Sequence, residues 1–499
     1  MSKEILINVD PREKRVVVVN DGRMEEFYVE RPQDKTIVGN IYKGKIEAVI
    51  PSINGAFVDI GMIKKGFLYL SEAESASESL EIHKPDHPKP APPKPAPNQS
   101  KEDKMFRGIK KGQEVLVQVV KESFGTKGPR LSAEIGIAGR YLVIMPQEEQ
   151  VGVSRRIEDE DERRRLRGIL QGLKLPKNAG FIVRTAACGK SSNELLRDAN
   201  FLIKLWMRME KIIVRQKAPS LIYEEYDLCL RAIRDSFTED VTKVIVDSKP
   251  EFYRIQKFMR TFLGNQLSRR IEFYRGDDLF GEKDIEKQIA KTFETKVYFK
   301  NKGYLIIEPT EGLVVIDVNS GGFKEKIRQE EAAFKINCEA AIEAAHQLRL
   351  RDLGGIIVID FIDMEKEGHR REVLKVLKTA LGHDRAKYDV LGISKFGLVE
   401  MTRERIHNTV QTLASQPCPY CSGKGKVRSP ITMAIYAIKE LKKFMKGKSL
   451  REVSVTANQM VVDEITKDKE NLRLIERKFR VKVNLIPNPS AKIEDIFLS

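Results

Sequence analysis

The sequence predicts a multidomain α/β protein, on three observations. At 499 residues the chain is too long for one compact core, so three or more domains are expected. Two apolar runs, "EGLVVIDVNSGG" and "IIVIDFIDM", flank an alanine-rich stretch of helical periodicity, which makes a strand–helix–strand unit with parallel neighbouring strands. Earlier in the chain, short strands broken by glycine have the pattern of a small barrel.

Composition narrows the partners. The chain is 41% hydrophobic and 32% charged, with a formal net charge of +16 and a pI near 9.3. Such a balance favours an anionic partner, nucleic acid or a membrane surface, the plain alternative being a merely soluble basic protein. The opening "MSKEILINVD" lacks the apolar core of a signal peptide, and no apolar stretch approaches the length of a membrane span. Five cysteines without disulfide-like density fit a reducing cytoplasm.

The first 38 residues read as short strands. In "RVVVVNDGRMEEFYVE", Asp21-Gly22 joins two of them as a hairpin turn. "NIYKGKIEAVIPSINGAFVDIGMIKKGFLYLSE" and "QEVLVQVVKESFGTKGPRLS" supply the barrel strands. Between them a proline-rich loop, residues 84–97, cannot pack a core and is expected to be exposed, semi-rigid and without a function of its own. Phe57 and Phe67 sit on successive strands among Lys43, Lys45, Lys64 and Lys65. Rings stack on bases and ammonium groups meet phosphates, which suits single-stranded nucleic acid. Alternation does not separate this from two core phenylalanines, because Ala56 and Val58 flank Phe57.

Helical periodicity follows in "IEDEDERRRLRGILQGL", with Leu166, Ile169, Leu170 and Leu173 on one face. A longer helix, "SSNELLRDANFLIKLWMRMEKIIVRQ", opens with a capping box of Ser191 and Glu194. Before it, "VRTAACGKSSNE" contains Gly-Lys-Ser but fails as a phosphate loop, since Arg184 stands where a glycine is required. Arg184 and Thr185 could still fork onto a phosphate, although a solvated arginine is an equal reading. "KVIVDS" and "RRIEFYRG" are strand-like.

Residues 293–415 form the α/β unit. Its helix, around 329–351, carries Cys338 as a small core residue and is expected to stop at Leu353-Gly354-Gly355. The flanking strands end alike, in Asp317 and Asp360. Matching register places both carboxylates on one side, at the carboxyl end of the sheet where α/β proteins commonly bind ligands. A divalent cation would relieve their repulsion, and oxygen ligands suit magnesium, with Asn319 orienting Asp317. Two aspartates capping turns is an equal reading of the spacing.

Cys418 and Cys421 have the Cys-x-x-Cys spacing of half a zinc site, and the chain has no second such pair. Cys188, Cys229 and Cys338 stand alone, and His346 or His407 would be lone histidine ligands. A second copy of the chain is the economical source of the other two ligands. About 75 residues of mixed helix and strand character follow.

Together, "NIYKGKI", "AFVDIG", "GFL", "YLVIMP", "GVSRRIE", "VRTAACGKS", "LVVIDVNS", "LRLRDLGGIIVIDFIDM" and "CPYCSGKG" resemble the ribonuclease E/G family, in the family's order from residue 40 to 425. The chain lacks the long scaffold of the E type, so the G type is the nearer likeness. The resemblance implies an RNase H-like fold from residues 1–38 and 229–292. It implies insertion of an S1-type OB barrel at 39–132, carrying the variable loop 84–97, and a 5′-sensor region at 133–228. A DNase I-like catalytic domain at 293–415, a zinc link at 416–425 and a small C-terminal α/β domain at 426–499 complete it. It further implies RNA contacts at Phe57, Phe67 and Lys127, and a 5′-monophosphate pocket from Arg184, Thr185 and the backbone near Gly139 and Val143. Asp317, Asn319 and Asp360 match the catalytic cluster. The expected function is a cytoplasmic, homodimeric, magnesium-dependent endoribonuclease with a shared structural zinc, acting in rRNA maturation or mRNA decay. A non-catalytic RNA-binding or assembly protein, or a DNA nuclease on a similar scaffold, are the alternatives.

Overall fold

A computed structural model describes residues 2–69, 110–123, 127–146, 148, 151–173, 179–299, 303–310, 312–322, 329–382, 384–394, 396–404, 416, 418–448 and 450–499. The proline-rich loop 84–97 and His407 lie outside them. The chain divides into two compact units, residues 1–410 and 411–499.

In the first unit, a five-stranded sheet has the order Ile271–Phe273, Val241–Val246, Lys3–Asp10, Glu13–Asn20, Arg23–Glu30. Lys3–Asp10 runs parallel to Val241–Val246 and antiparallel to Glu13–Asn20. Asp21 and Gly22 take φ of 47° and 81°, the positive values a two-residue hairpin turn needs to match strand twist. The unbroken valine run 16–19 is explained by burial on both faces. Val16 and Val18 join the core beneath Leu228–Ser236 and Lys249–Leu267, while Val17 and Val19 pack with Leu279, Phe280, Ile285 and Ile289.

The barrel closes. Ile41–Ile50, Gly55–Asp59, Gly66–Tyr69, Arg130–Ser132 and Glu114–Lys121 pair in turn, and the last returns to the first. Ile46, Ala56, Val58, Leu68, Val115 and Leu131 fill its interior. A four-stranded sheet follows, ordered Val151–Val153, Gly180–Val183, Leu142–Met145, Ile137–Ala138. Against it lie helix Glu160–Gly172, burying Leu166 and Leu170, and helix Ser192–Arg215. The latter opens with the expected reciprocal capping box of Ser191 and Glu194.

A six-stranded mixed sheet completes the unit, ordered Lys296–Tyr298, Tyr304–Pro309, Leu313–Asn319, Gly355–Asp360, Leu398–Arg403, Tyr388–Ile393. Leu313–Asn319 and Gly355–Asp360 are parallel, joined through helix Gln329–Leu350. That helix and Glu367–Leu381 cover one face, where Leu305, Ile307, Ile316, Val318, Ile357 and Ile359 pack against Ala340, Ala341, Ala344 and Leu377. The helix does not stop on a glycine, as the sequence suggested. Asp352 adopts the left-handed conformation (φ 48°), with Leu353 N–H donating to Leu348 O at 3.0 Å and Asp352 N–H to Arg349 O at 3.2 Å. These two bonds make a Schellman cap. Arg403 donates to Asp352 at 2.8 Å and holds an aspartate where glycine is usual.

In the second unit, helices Pro430–Met445, Gln459–Lys467 and Lys469–Phe479 accompany a three-stranded sheet ordered Lys482–Pro487, Glu452–Ala457, Ile496–Leu498. No described helix is long and apolar enough to cross a membrane.

Candidate active site and nucleic-acid contacts

Parallel pairing puts Asp317 and Asp360 directly opposite each other. Their neighbours Ile316 and Ile359 point into the helix-covered core, so alternation turns both carboxylates to the uncovered face. Asn319, two residues on, shares that face and donates from Nδ2 to Asp317 Oδ2 at 2.8 Å. Burial, then the negative charges of Asp317 and Asp363, raise the Asp360 carboxyl above its ordinary range. The donors are oxygen only and their mutual repulsion calls for positive charge, which fits a hard divalent cation. Among the described residues no set of three or more acidic, histidine or cysteine groups could hold a metal by itself. Two carboxylates would leave positions for water and phosphate, as magnesium commonly requires.

On the barrel, Phe57 and Phe67 are cross-strand partners with ring centroids 5.9 Å apart at 67°. Both are half-buried, whereas Ala56, Val58 and Leu68 occupy the interior, so the rings belong to the outer face. Phe67 also meets Tyr69 edge-on at 5.1 Å. Gly55 makes room for it, since a Cβ there would lie 2.2 Å from the Phe67 ring. Lys127 is exposed, next to Gly128, which packs on the Lys65 carbonyl. Lys45 and Lys64 are exposed too, and Lys65 pairs with Asp59 at 3.2 Å. Lys43 is different. It is buried and donates to the carbonyls of Ile213 and Gln216 while pairing with Glu114, so it anchors the barrel to helix Ser192–Arg215 instead of meeting ligand.

Arg184 and Thr185 follow strand Gly180–Val183 and line a cavity of about 450 Å³. The Arg184 guanidinium donates to Gly139 O and to Asp235 Oδ1, each at 2.6 Å. Burial opposes a charge on Asp235, but Arg234 and Arg184 beside it hold its carboxyl well below the usual range. Arg184 and Thr185 thus share the cavity, and Gly139, not itself a lining residue, is tied to it through its carbonyl on Arg184. Val143 pairs with Ile182 and Ala138 on the adjoining strands and does not line the cavity. Asp235, Arg234 and Asp198 were missed from sequence. Asp198 accepts from the backbone N–H groups of Arg140, Tyr141 and Leu142 at 3.1, 2.7 and 2.9 Å, fixing the turn that carries Gly139. Its signal was a charged residue on the apolar stripe Leu195, Ala199, Leu202.

In the second unit, Cys418 and Cys421 form a close pair. Backbone N–H groups of Cys421 and Tyr420 depress the Cys418 thiol below its ordinary range, and Gly425 N–H donates to Cys421 Sγ at 3.3 Å. Ser422, Gly423 and Gly425 have φ of 50°, 82° and 70°, curling the chain around the sulfurs. Donors aimed at thiolates are what half of a zinc site needs. The cysteines left out of that pair are set elsewhere: Cys229 is buried, Cys338 packs against the α/β core, and Cys188 is exposed. His346 serves structure, bonded to Met24 O at 2.8 Å.

Paired carboxylates at a sheet end, in a basic chain whose barrel carries outward aromatic rings, suit the nuclease class. Comparison then gives the lineage. The profile of the "Ribonuclease E/G family" matches residues 136–406, and that of the "RNase E/G, Thioredoxin-like domain" matches residues 417–499. Ribonuclease G of Haemophilus influenzae is 39% identical over 439 residues, covering 88% of this chain and 87% of its own. Ribonuclease G of Escherichia coli K12 is 38% identical, covering 88% of each. Ribonuclease E of Escherichia coli K12 is 36% identical over 97% of this chain but 45% of its own. The chain belongs to the ribonuclease E/G family.

Proposed function

We propose that this protein is a magnesium-dependent endoribonuclease that cuts single-stranded RNA, prefers a 5′-monophosphate, and leaves 5′-phosphate and 3′-hydroxyl ends. The observation that carries it is the register pair Asp317–Asp360 with Asn319 donating to Asp317. A magnesium ion held by the two carboxylates would stabilise charge on the scissile phosphate and lower the pKa of the attacking water. Asn319 keeps Asp317 in one orientation by its hydrogen bond. Phe57 and Phe67 offer stacking faces, and Lys127 a charge, for the strand leading to the site. Arg184 and Thr185 supply donors for a terminal phosphate, a compact dianion. Membership of a family with ribonuclease G relatives supports roles in rRNA maturation or mRNA decay in the cytoplasm. The finer domain assignments, RNase H-like, S1-type and DNase I-like, are proposed on the same footing. So is the zinc-linked homodimer.

The test is cleavage of matched RNA and DNA oligomers, 5′-monophosphorylated or 5′-hydroxyl, with and without magnesium. Asp317→Asn and Asp360→Asn keep shape but remove charge, so turnover should fall at least about 100-fold, a loss of the several kcal/mol that a metal supplies, while RNA binding survives. Near-normal turnover, cyclic phosphate ends, or preference for DNA would each overturn the reading.

A further inference from the structure

The uncovered face of the catalytic sheet continues beyond Asn319 into an aromatic group that the proposed mechanism does not use. Tyr304 stands directly opposite Asn319, and Tyr298 directly opposite Tyr304. Cross-strand partners share a face, as do residues two apart on one strand. Asp360, Asp317, Asn319, Tyr304 and Tyr298 therefore lie on one side of the sheet, opposite the core residues Leu305, Ile307, Ile316 and Val318. Lys296 joins them, being two residues from Tyr298 and opposite Ile306. The two rings have centroids 5.7 Å apart, inclined at 56°. The Lys296 ammonium sits 3.7 Å from the Tyr304 ring centroid and 4.9 Å from that of Tyr298. Tyr298 is 65% exposed.

We infer that Tyr298, backed by Tyr304 and Lys296, is a stacking subsite for one base of the bound RNA strand, on the Asn319 side of the scissile phosphate. The inference rests on the nuclease reading above. A tyrosine on an edge strand has a structural use in cross-strand pairing, and Tyr304 meets it already. Pairing does not call for most of Tyr298 to face solvent, or for one ammonium close to both rings. An aromatic face beside a fixed positive charge is instead what a nucleotide requires, the base taking the ring and the phosphate the ammonium. Strand spacing sets the distance. Two inter-strand spacings separate Tyr298 from Asn319, about 10 Å at the usual spacing, so the base is a near neighbour of the cut.

The experiment uses the full chain and one RNA oligomer with a single cleavage site, its bases removed one at a time on either side of that site. Besides any position that Phe57 and Phe67 stack on, wild type should lose about tenfold in kcat/KM at one position next to the cut, the order that a single base–aromatic stack contributes. Tyr298→Leu should make that position indifferent to base removal, and Tyr298→Phe should keep the wild-type profile. Each ratio is internal to one protein, so a general loss of stability cannot produce the pattern. A flat profile in wild type, or an unchanged profile in Tyr298→Leu, overturns the subsite. Failure of wild type to cut the intact oligomer overturns the nuclease reading and this inference with it.

Discussion

A Cβ on Gly139 would lie 2.6 Å from Asp198 Oδ2, and Asp198 is pinned by three backbone N–H groups. Gly139→Ala should therefore push the carboxylate off its donors. We expect a loss of about 1–3 kcal/mol, typical of overpacking, read by chemical denaturation. The Gly139 carbonyl that accepts from Arg184 should move with it, narrowing any preference for a 5′-monophosphate in cleavage assays. Side-chain alternation and two matching strand ends made the Asp317–Asp360 pair legible in sequence. Asp198 was not legible, because its partners lie 56 to 58 residues away. Lys43 was misjudged for a related reason. Charge alone suggested a ligand, but its partners are the carbonyls at the end of a helix about 170 residues downstream.

Among the elements, helix Gln329–Leu350 ties the six-stranded sheet to the five-stranded N-terminal one. Glu343 projects from it and accepts from Arg23 at 2.6 Å and Gln347 at 2.9 Å. Burial disfavours its charge, yet His346, Arg23 and Gln347 lower its pKa from 4.5 to about 2. A carboxyl depressed in the folded state stabilises fully above its unfolded pKa, and loses that contribution as pH falls through the folded value. Wild type should thus lose on the order of 3 kcal/mol, at 1.36 kcal/mol for each pKa unit, as pH drops from 4.5 towards 2. Glu343→Gln should be less stable at neutral pH and show a flatter acid limb in denaturation at stepped pH. An unchanged limb would remove Glu343 from this role. The helix itself was legible from its alanine periodicity, and the strands beside it from their apolar runs. Its stop was not, because Asp352 owes its left-handed backbone to Arg403, on a strand 51 residues away. The barrel was legible too, since the strand-like runs on both sides of the proline-rich segment share one pattern, and Ile41–Ile50 pairs with Glu114–Lys121 across it.

At the scale of the whole molecule, half a metal site implies a second half. Cys418 and Cys421 present two sulfurs, and structural zinc takes four ligands. If two copies complete the site, metal analysis should find about one zinc per two chains. Chelation or acid should loosen the assembly in sedimentation, because thiolates must be deprotonated to bind. One zinc per chain, or an unchanged dimer in Cys418→Ala, would reject the sharing. The first unit poses a different problem, one of timing. Strand Lys3–Asp10 completes its pairing only with Val241–Val246. At translation rates of about 5–20 residues per second, roughly 10–50 s separate the synthesis of the two. Barrel and four-stranded sheet, whose strands pair within residues 41–223, can form in that interval. The N-terminal sheet cannot be finished, and one edge of Lys3–Asp10 stays open to chance pairing with other strands. The earlier strand thus waits for shelter from one made after the barrel and the four-stranded sheet are complete.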